Sequence, residues 1–242
     1  MRSARDYDAL AARWRVVAER TGLRLSVLAR AGRYEVYGLR SAEPDSGAAY
    51  VSAGVHGDEP AGVWALVEWC EEHPWRLSRG QWLIMPCLNP WGFVRNERRD
   101  ASGVDLNRSF RSRRHPVIRG WKRFVGRPRF RLAITLHEDF EAQGIYVYQS
   151  GQPAVAAARR ALSSASKSLR LDPRRVIDHF RAERGVIRVS RRPRHLRGTP
   201  EGRYLAASGT PVVMTFETPS EAAIERRVAA HKGFLSGALR QG

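Results

Sequence analysis

Two cysteines, Cys70 and Cys87, are the only thiols in 242 residues. That excludes a disulfide framework and leads us to expect a reducing, cytoplasmic setting. Lysine is almost as scarce: Lys122, Lys167 and Lys232 stand against a Lys+Arg total of 42, so the positive charge is nearly all arginine. No stretch approaches the roughly 18 apolar residues of a membrane span. Charges recur from Arg2 to Arg24, which breaks up the apolar core that a signal peptide needs. Internal repeats are absent as well.

The net charge of +18 raises the question of nucleic acid. The basic stretches at 111–131 and 188–197 carry no zinc-finger, helix-turn-helix or aromatic-interleaved pattern. A solvated basic face that draws in anionic substrates is the expectation, with nucleic acid an unlikely partner and oligomeric state unread.

With 43% hydrophobic residues, the chain has the size and composition of one catalytic domain over 1–242, an N-terminal helix and strands at 1–47 packing on a core at 48–242. Tyr7, Leu10, Ala11, Trp14, Val17 and Ala18 recur with helical spacing, and Gly22 follows as a stop. Residues 23–28 and 34–39 read as strands. Residues 48–55 form a short apolar run of the kind buried on both faces, followed by a helix from Pro60 and a further buried strand at 82–86. A polar segment at 89–116 reads as one long functional loop. Strands are expected at 131–136, 145–148, 186–189 and 211–216, and helices at 153–166 and 220–239. The alternation predicts an α/β fold whose mixed sheet is covered on both faces.

Polar residues gather where these apolar runs stop. His56 and Glu59 follow the strand at 48–55, three positions apart on a turn that Gly57 makes sharp, and Pro60 suits the first turn of a helix. An imidazole and a carboxylate so placed can approach one ion, and two nitrogens plus a carboxylate make a catalytic zinc set with a position left open for water. His137, at the end of another apolar run, is the candidate third ligand, and Glu138 and Asp139 either orient it or cap a turn. The loop holds Asn89-Pro-Trp-Gly92 and then Arg98, Arg99 and 103–108, Gly-Val-Asp-Leu-Asn-Arg. Arginine's planar fork suits a substrate carboxylate or a developing oxyanion. Glu217 ends a third apolar run, where a carboxylate can pass a proton from water to a leaving amine.

In this order, His56-x-x-Glu59, Asn89-Pro-x-Gly92, Arg98, 103–108, His137 and Glu217 resemble the zinc metallocarboxypeptidase family typified by carboxypeptidase A, related to the succinylglutamate desuccinylase/aspartoacylase group. The resemblance implies a three-layer α/β/α sandwich with a mixed, mostly parallel sheet and one zinc ion on His56, Glu59 and His137. It further implies Arg98 at the oxyanion, Asn107 and Arg108 on the substrate's free carboxylate, and Glu217 as general base and then acid. Asp105 is expected to brace the loop. Trp91 and Ser109 depart from the family's usual residues, and Tyr204 and His195 are the candidates for its substrate-contacting aromatic position. The implied reaction is hydrolysis of an amide bond next to a free carboxylate in a peptide. An N-acyl amino acid amidohydrolase is the alternative, and a non-catalytic module for peptides or anions is the third reading. The short tail after Glu217 favours the peptidase.

Overall fold

A computed structural model describes residues 5–127, 129–151, 155–189 and 198–240. Helix α1, Tyr7–Thr21, starts where the Asp6 carboxylate accepts the Ala9 N–H, and it stops at Gly22, whose φ of 72° is left-handed. Its buried stripe is Tyr7, Leu10, Ala11, Trp14 and Val17. Strands β1, Arg24–Ala31, and β2, Tyr34–Arg40, pair as an antiparallel hairpin. Then come β3, Ala49–Ser52, α2, Pro60–Glu72, α3, Pro74–Arg79, and β4, Trp82–Met85. After α4, Pro90–Arg95, and α5, Pro116–Val125, the chain forms β5, Leu132–Asp139, β6, Tyr146–Gly151, and α6, Val155–Ala165. Three short strands follow: β7, Val176–Ile177, β8, Phe180–Glu183, and β9, Val186–Val189. The chain ends with α7, Glu201–Ala207, β10, Val212–Pro219, and α8, Ile224–Ala238.

The strands join in one sheet, in the order β1-β2-β4-β3-β5-β10-β6-β9-β8-β7. Its centre, β4-β3-β5-β10, is parallel, and antiparallel pairs flank it. Each face carries its own core. Leu132, Ile134, Leu136, Met214 and Phe216 pack under Trp14, Leu66 and Phe234 of α1, α2 and α8. Ala133 and Val213 point the other way, toward Trp121 of α5 and Leu205 of α7. The expected three-layer sandwich is therefore present. The period-two alternation also decides where the site faces: Thr135 and His137 continue the Ala133 row, and Thr215 and Glu217 the Val213 row. A 2.8 Å hydrogen bond between the Thr135 and Thr215 hydroxyls ties the two rows together.

Two expectations change. The segment at 89–116 is not one irregular loop, since it holds α4 and a turn of 3-10 helix at Leu106–Arg108, and α5 starts at its end. In α5, Val117, Ile118, Trp121 and Val125 are buried while Arg119 and Arg123 are exposed, an apolar stripe obscured by the surrounding arginines. Strands β5 and β10 also run three residues past the expected ends, because β10 is paired on both sides and the ladder continues through polar side chains. His137 and Glu217 thus lie inside strands. Among the described residues no helix is long and apolar enough to cross a membrane.

Candidate metal centre and cleft

Beyond the end of β3 the chain turns sharply, placing His56 and Glu59 at the start of α2. Gly57 is required there by proximity: a Cβ would lie 2.0 Å from the Gly92 carbonyl carbon of α4. The turn faces the end of β5. Glu59 sets one carboxylate oxygen 2.5 Å from His56 Nδ1 and the other 2.9 Å from His137 Nδ1. One donor atom from each residue lies within 4.8 Å of the others, and all three side chains are buried. Burial alone would raise the Glu59 pKa, but the two imidazoles outweigh it and hold the carboxylate well below its ordinary range. Burial would lower His56, and the carboxylates of Glu59 and Asp105 instead raise it to about 9. Two imidazole nitrogens and a carboxylate converging in a buried pocket are the donor set a divalent zinc ion takes, so the residues present fit the metal.

Asp105 does more than brace its loop. Its Oδ1 lies 3.3 Å from His56 Nε2, outside good hydrogen-bond geometry, and its Oδ2 lies 3.4 Å from Arg98 Nη2. The carboxylate thus lies on the side of the His56 ring away from Glu59, an arrangement only the three-dimensional structure reveals. Arg98 leans over the trio, Nη1 3.2 Å from His56 Nδ1 and 3.6 Å from Glu59 Oε1. Glu138 accepts the Ala61 N–H at the start of α2 at 2.7 Å and pairs with Arg227 of α8, so it ties the strand carrying His137 to two helices. Asp139 accepts the Tyr146 hydroxyl at 2.8 Å.

Glu217 is the residue in register with His137 on β5 and with Tyr146 on β6. Burial pushes its carboxyl well above the ordinary value, and nearby Glu59 and Asp139 push the same way against His137. Asn107 lies in the 3-10 turn with its side-chain oxygen accepting the Glu201 N–H at 2.9 Å, and Arg108 follows it. Glu201 itself is buried under this turn, accepting from the Tyr50 and Ser52 hydroxyls.

All seven residues singled out from sequence, His56, Glu59, Arg98, Asn107, Arg108, His137 and Glu217, line one cleft of about 1400 Å³. Tyr204 does not: it packs against Trp121 at 5.6 Å between ring centres, on the core side of α7. His195 lies outside the described residues. The tyrosines that line the cleft are Tyr146 and Tyr148. They are two positions apart on β6, a period-two signal beside the strand that carries Glu217. Trp91 stacks on Arg95 at 4.4 Å, and the Ser109 hydroxyl donates to the Asp105 carbonyl at 3.0 Å.

Residues 45–143 match the family described as succinylglutamate desuccinylase/aspartoacylase catalytic domain. No curated protein matches the chain. Among solved structures it is similar to a candidate metallopeptidase from Shewanella denitrificans OS217, with 24% identity over 98% of this chain and 90% of that one and a TM-score of 0.83. A second candidate metallopeptidase, from Shewanella amazonensis SB2B, shows 22% identity, coverage of 98% and 93%, and a TM-score of 0.83. A metallo-carboxypeptidase from Pseudomonas aeruginosa, in complex with (2-guanidinoethylmercapto)succinic acid, shows 19% identity, coverage of 94% and 66%, and a TM-score of 0.67. The chain thus has the fold of the metallo-carboxypeptidases, and its segment 45–143, which carries six of the seven cleft residues, matches the related desuccinylase/aspartoacylase catalytic domain, so the resemblance read from the motifs is borne out.

Proposed function

We propose that this chain is a zinc-dependent hydrolase of the carboxypeptidase type, cutting an amide bond next to a free carboxylate, with residues 1–242 acting as one catalytic unit. The observation that carries this reading is the convergence on one cleft of seven residues drawn from widely separated parts of the chain. His56, Glu59 and His137 would hold the zinc, which when bound supplies Lewis-acid polarisation and a more acidic water. Arg108, with Asn107 beside it, grips the substrate carboxylate and so fixes which amide bond reaches the ligand trio. Arg98 directs its guanidinium at the carbonyl oxygen as negative charge develops there. Glu217 takes a proton from the attacking water on its carboxylate and delivers it to the leaving nitrogen, and its buried setting suits both halves of that transfer. Asp105 keeps the His56 ring turned toward Glu59.

The match over residues 45–143 favours a second reading, an N-acyl amino acid amidohydrolase built on the same residues. One experiment separates the two. Zinc content is measured together with chelator-sensitive hydrolysis of C-terminal dipeptides against N-succinyl and N-acetyl amino acids. About one zinc per chain with peptide cleavage supports the peptidase, whereas preference for acyl amino acids selects the amidohydrolase. Absence of both zinc and turnover removes the catalytic reading.

A further inference from the structure

The seven residues so far assigned to the cleft all follow β3, yet a residue ahead of α1 also lines it. Arg5 reaches across the entrance to the metal turn. One guanidinium nitrogen, Nη1, donates to the Gly57 carbonyl at 2.8 Å and to the Phe93 carbonyl at 2.8 Å, and Nη2 donates to the Asn96 side-chain oxygen. The three acceptors belong to the two segments whose relative position matters most. Gly57 lies between His56 and Glu59. Phe93 and Asn96 belong to α4 and its C-cap, and Asn96, left-handed at φ 59°, leads the chain through Glu97 into Arg98.

These two segments already touch, since Gly57 has no room for a Cβ against Gly92 and Phe93. Close contact keeps them from moving together but not from moving apart. Arg5 adds a restraint beside the Asn89 N–H bond to the Gly54 carbonyl and the Arg98 contact with His56: hydrogen bonds from one guanidinium to both sides resist separation, which van der Waals contact barely opposes. We propose that Arg5 is a positioning residue that clamps the His56–Glu59 turn to the α4 segment bearing Arg98, and so holds metal ligands and oxyanion arginine in register. The inference rests on the reading that His56 and Glu59 hold zinc. Lysine replaces Arg5 only in part, because a single ammonium nitrogen can take the place of Nη1 between Gly57 and Phe93 but leaves the Nη2 bond to Asn96 unmade.

The test is zinc release from the purified, zinc-loaded full chain into excess chelator, followed with a chromogenic zinc indicator, for wild type, Arg5→Ala, Arg5→Lys and Arg13→Met. Arg13 lies on α1, the helix that follows Arg5, and forks onto Glu71 near the other end of α2 from the metal turn, with Nε 2.8 Å from Oε1, so its variant reports generic loosening of α1. Arg5→Ala is expected to lose zinc about tenfold faster than wild type, Arg5→Lys by a smaller factor, and Arg13→Met at the wild-type rate. Added methylguanidine should slow the loss from Arg5→Ala and leave Arg13→Met unchanged. Turnover of whichever substrate panel is active should fall in kcat with KM little changed, because the carboxylate grip at Arg108 is untouched. Wild-type zinc retention in both Arg5 variants overturns the clamp, as does equal acceleration in Arg13→Met. A wild-type chain that holds no zinc overturns the metal reading itself, a result distinct from either.

Discussion

Replacing Gly57 by alanine tests the packing that brings the ligand turn onto α4. The added Cβ would sit 2.0 Å from the Gly92 carbonyl carbon, 2.3 Å from the Phe93 nitrogen and 2.5 Å from the Glu97 oxygen. Non-bonded carbons rest about 3.5 to 4.0 Å apart, so the two segments must separate by about 1.5 Å. No rotamer change offers relief, since all three obstructing atoms are backbone. Nor is α4 free to retreat: the Asn89 side chain accepts the Gly92 N–H at 3.0 Å and donates to the Arg98 and Arg99 carbonyls at 3.2 and 3.0 Å. The cost belongs at the upper end of overpacking, about 3 kcal/mol, which for a chain of this length lowers Tm by about 6 to 12 °C. Because His56 and Glu59 flank the substituted residue, zinc affinity should fall as well.

Gly103→Ala is the matched control. Its φ of +76° penalises a side chain, but nothing lies within 4 Å of the added Cβ, so about 1 kcal/mol is expected. Thermal unfolding of metal-free protein and competition with a zinc chelator read both effects. A Gly57→Ala chain that melts within about 2 °C of wild type and holds zinc equally well would refute the close approach and the reasoning built on it.

Further outcomes follow from the same geometry. Glu217→Gln should retain zinc while turnover drops by about 10² to 10⁴, measured by metal content and initial rates on one preparation. Arg108→Ala should raise KM by about 100-fold for substrates with a free carboxylate and leave a carboxyl-amidated substrate unaffected. Tyr50→Phe removes a hydroxyl that accepts from Trp121 Nε1 at 2.8 Å and donates to Glu201, so denaturant unfolding should show a loss of about 2 kcal/mol. Burial lowers His231 to about 3, so below about pH 6.5 the unfolded chain binds a proton that the folded chain refuses. Stability therefore falls as pH drops from about 6.5 toward 3, by up to about 1.4 kcal/mol per pH unit, and His231→Gln should flatten that part of a urea-midpoint profile against pH.

How far the sequence could be read depended on whether a residue's role is local. The ligand turn was legible because the apolar run that contains β3 continues to Val55 and stops at His56, although the strand itself ends earlier, at Ser52. His137 and Glu217 were found for the same reason, although both strands continue past them. Asp105 was read as a brace for its own loop, which its contact with Arg98 supports, but its approach to His56 was missed because that residue is distant in sequence and nothing in the loop's composition marks the contact. Tyr204 failed as the cleft aromatic because α7 turns it onto Trp121. Helix α5 was missed since arginines on its exposed face surround a short apolar stripe. Arg5 carried no signal at all: its acceptors are two backbone carbonyls and an asparagine side chain, and backbone carbonyls have no sequence signature.

Topology explains why residues so scattered meet at this one place. From β3 the chain crosses through α2, on the Leu66 side of the sheet, to reach β4 on one flank. From β4 it returns through α5, on the opposite Trp121 side, to reach β5 on the other flank of β3. The connection leaving β3 runs toward β4 and the one leaving β5 runs the opposite way, past β10 to β6, and adjacent parallel strands whose outgoing connections diverge leave a crevice beyond their carboxyl ends. His56 follows β3 and His137 lies near the end of β5, so the switch between these two strands opens where the imidazoles face each other. Residues 103–108 belong to the β4–β5 connection, which must pass that crevice on the α5 side, the same side to which alternation directs His137 and Glu217. Arg98 and Arg108 reach the ligand trio because the path back to β5 runs there. A circular permutation opened between α4 and α5 would keep every cleft residue in the chain yet untie that path, and zinc retention should then persist while the carboxylate preference is lost.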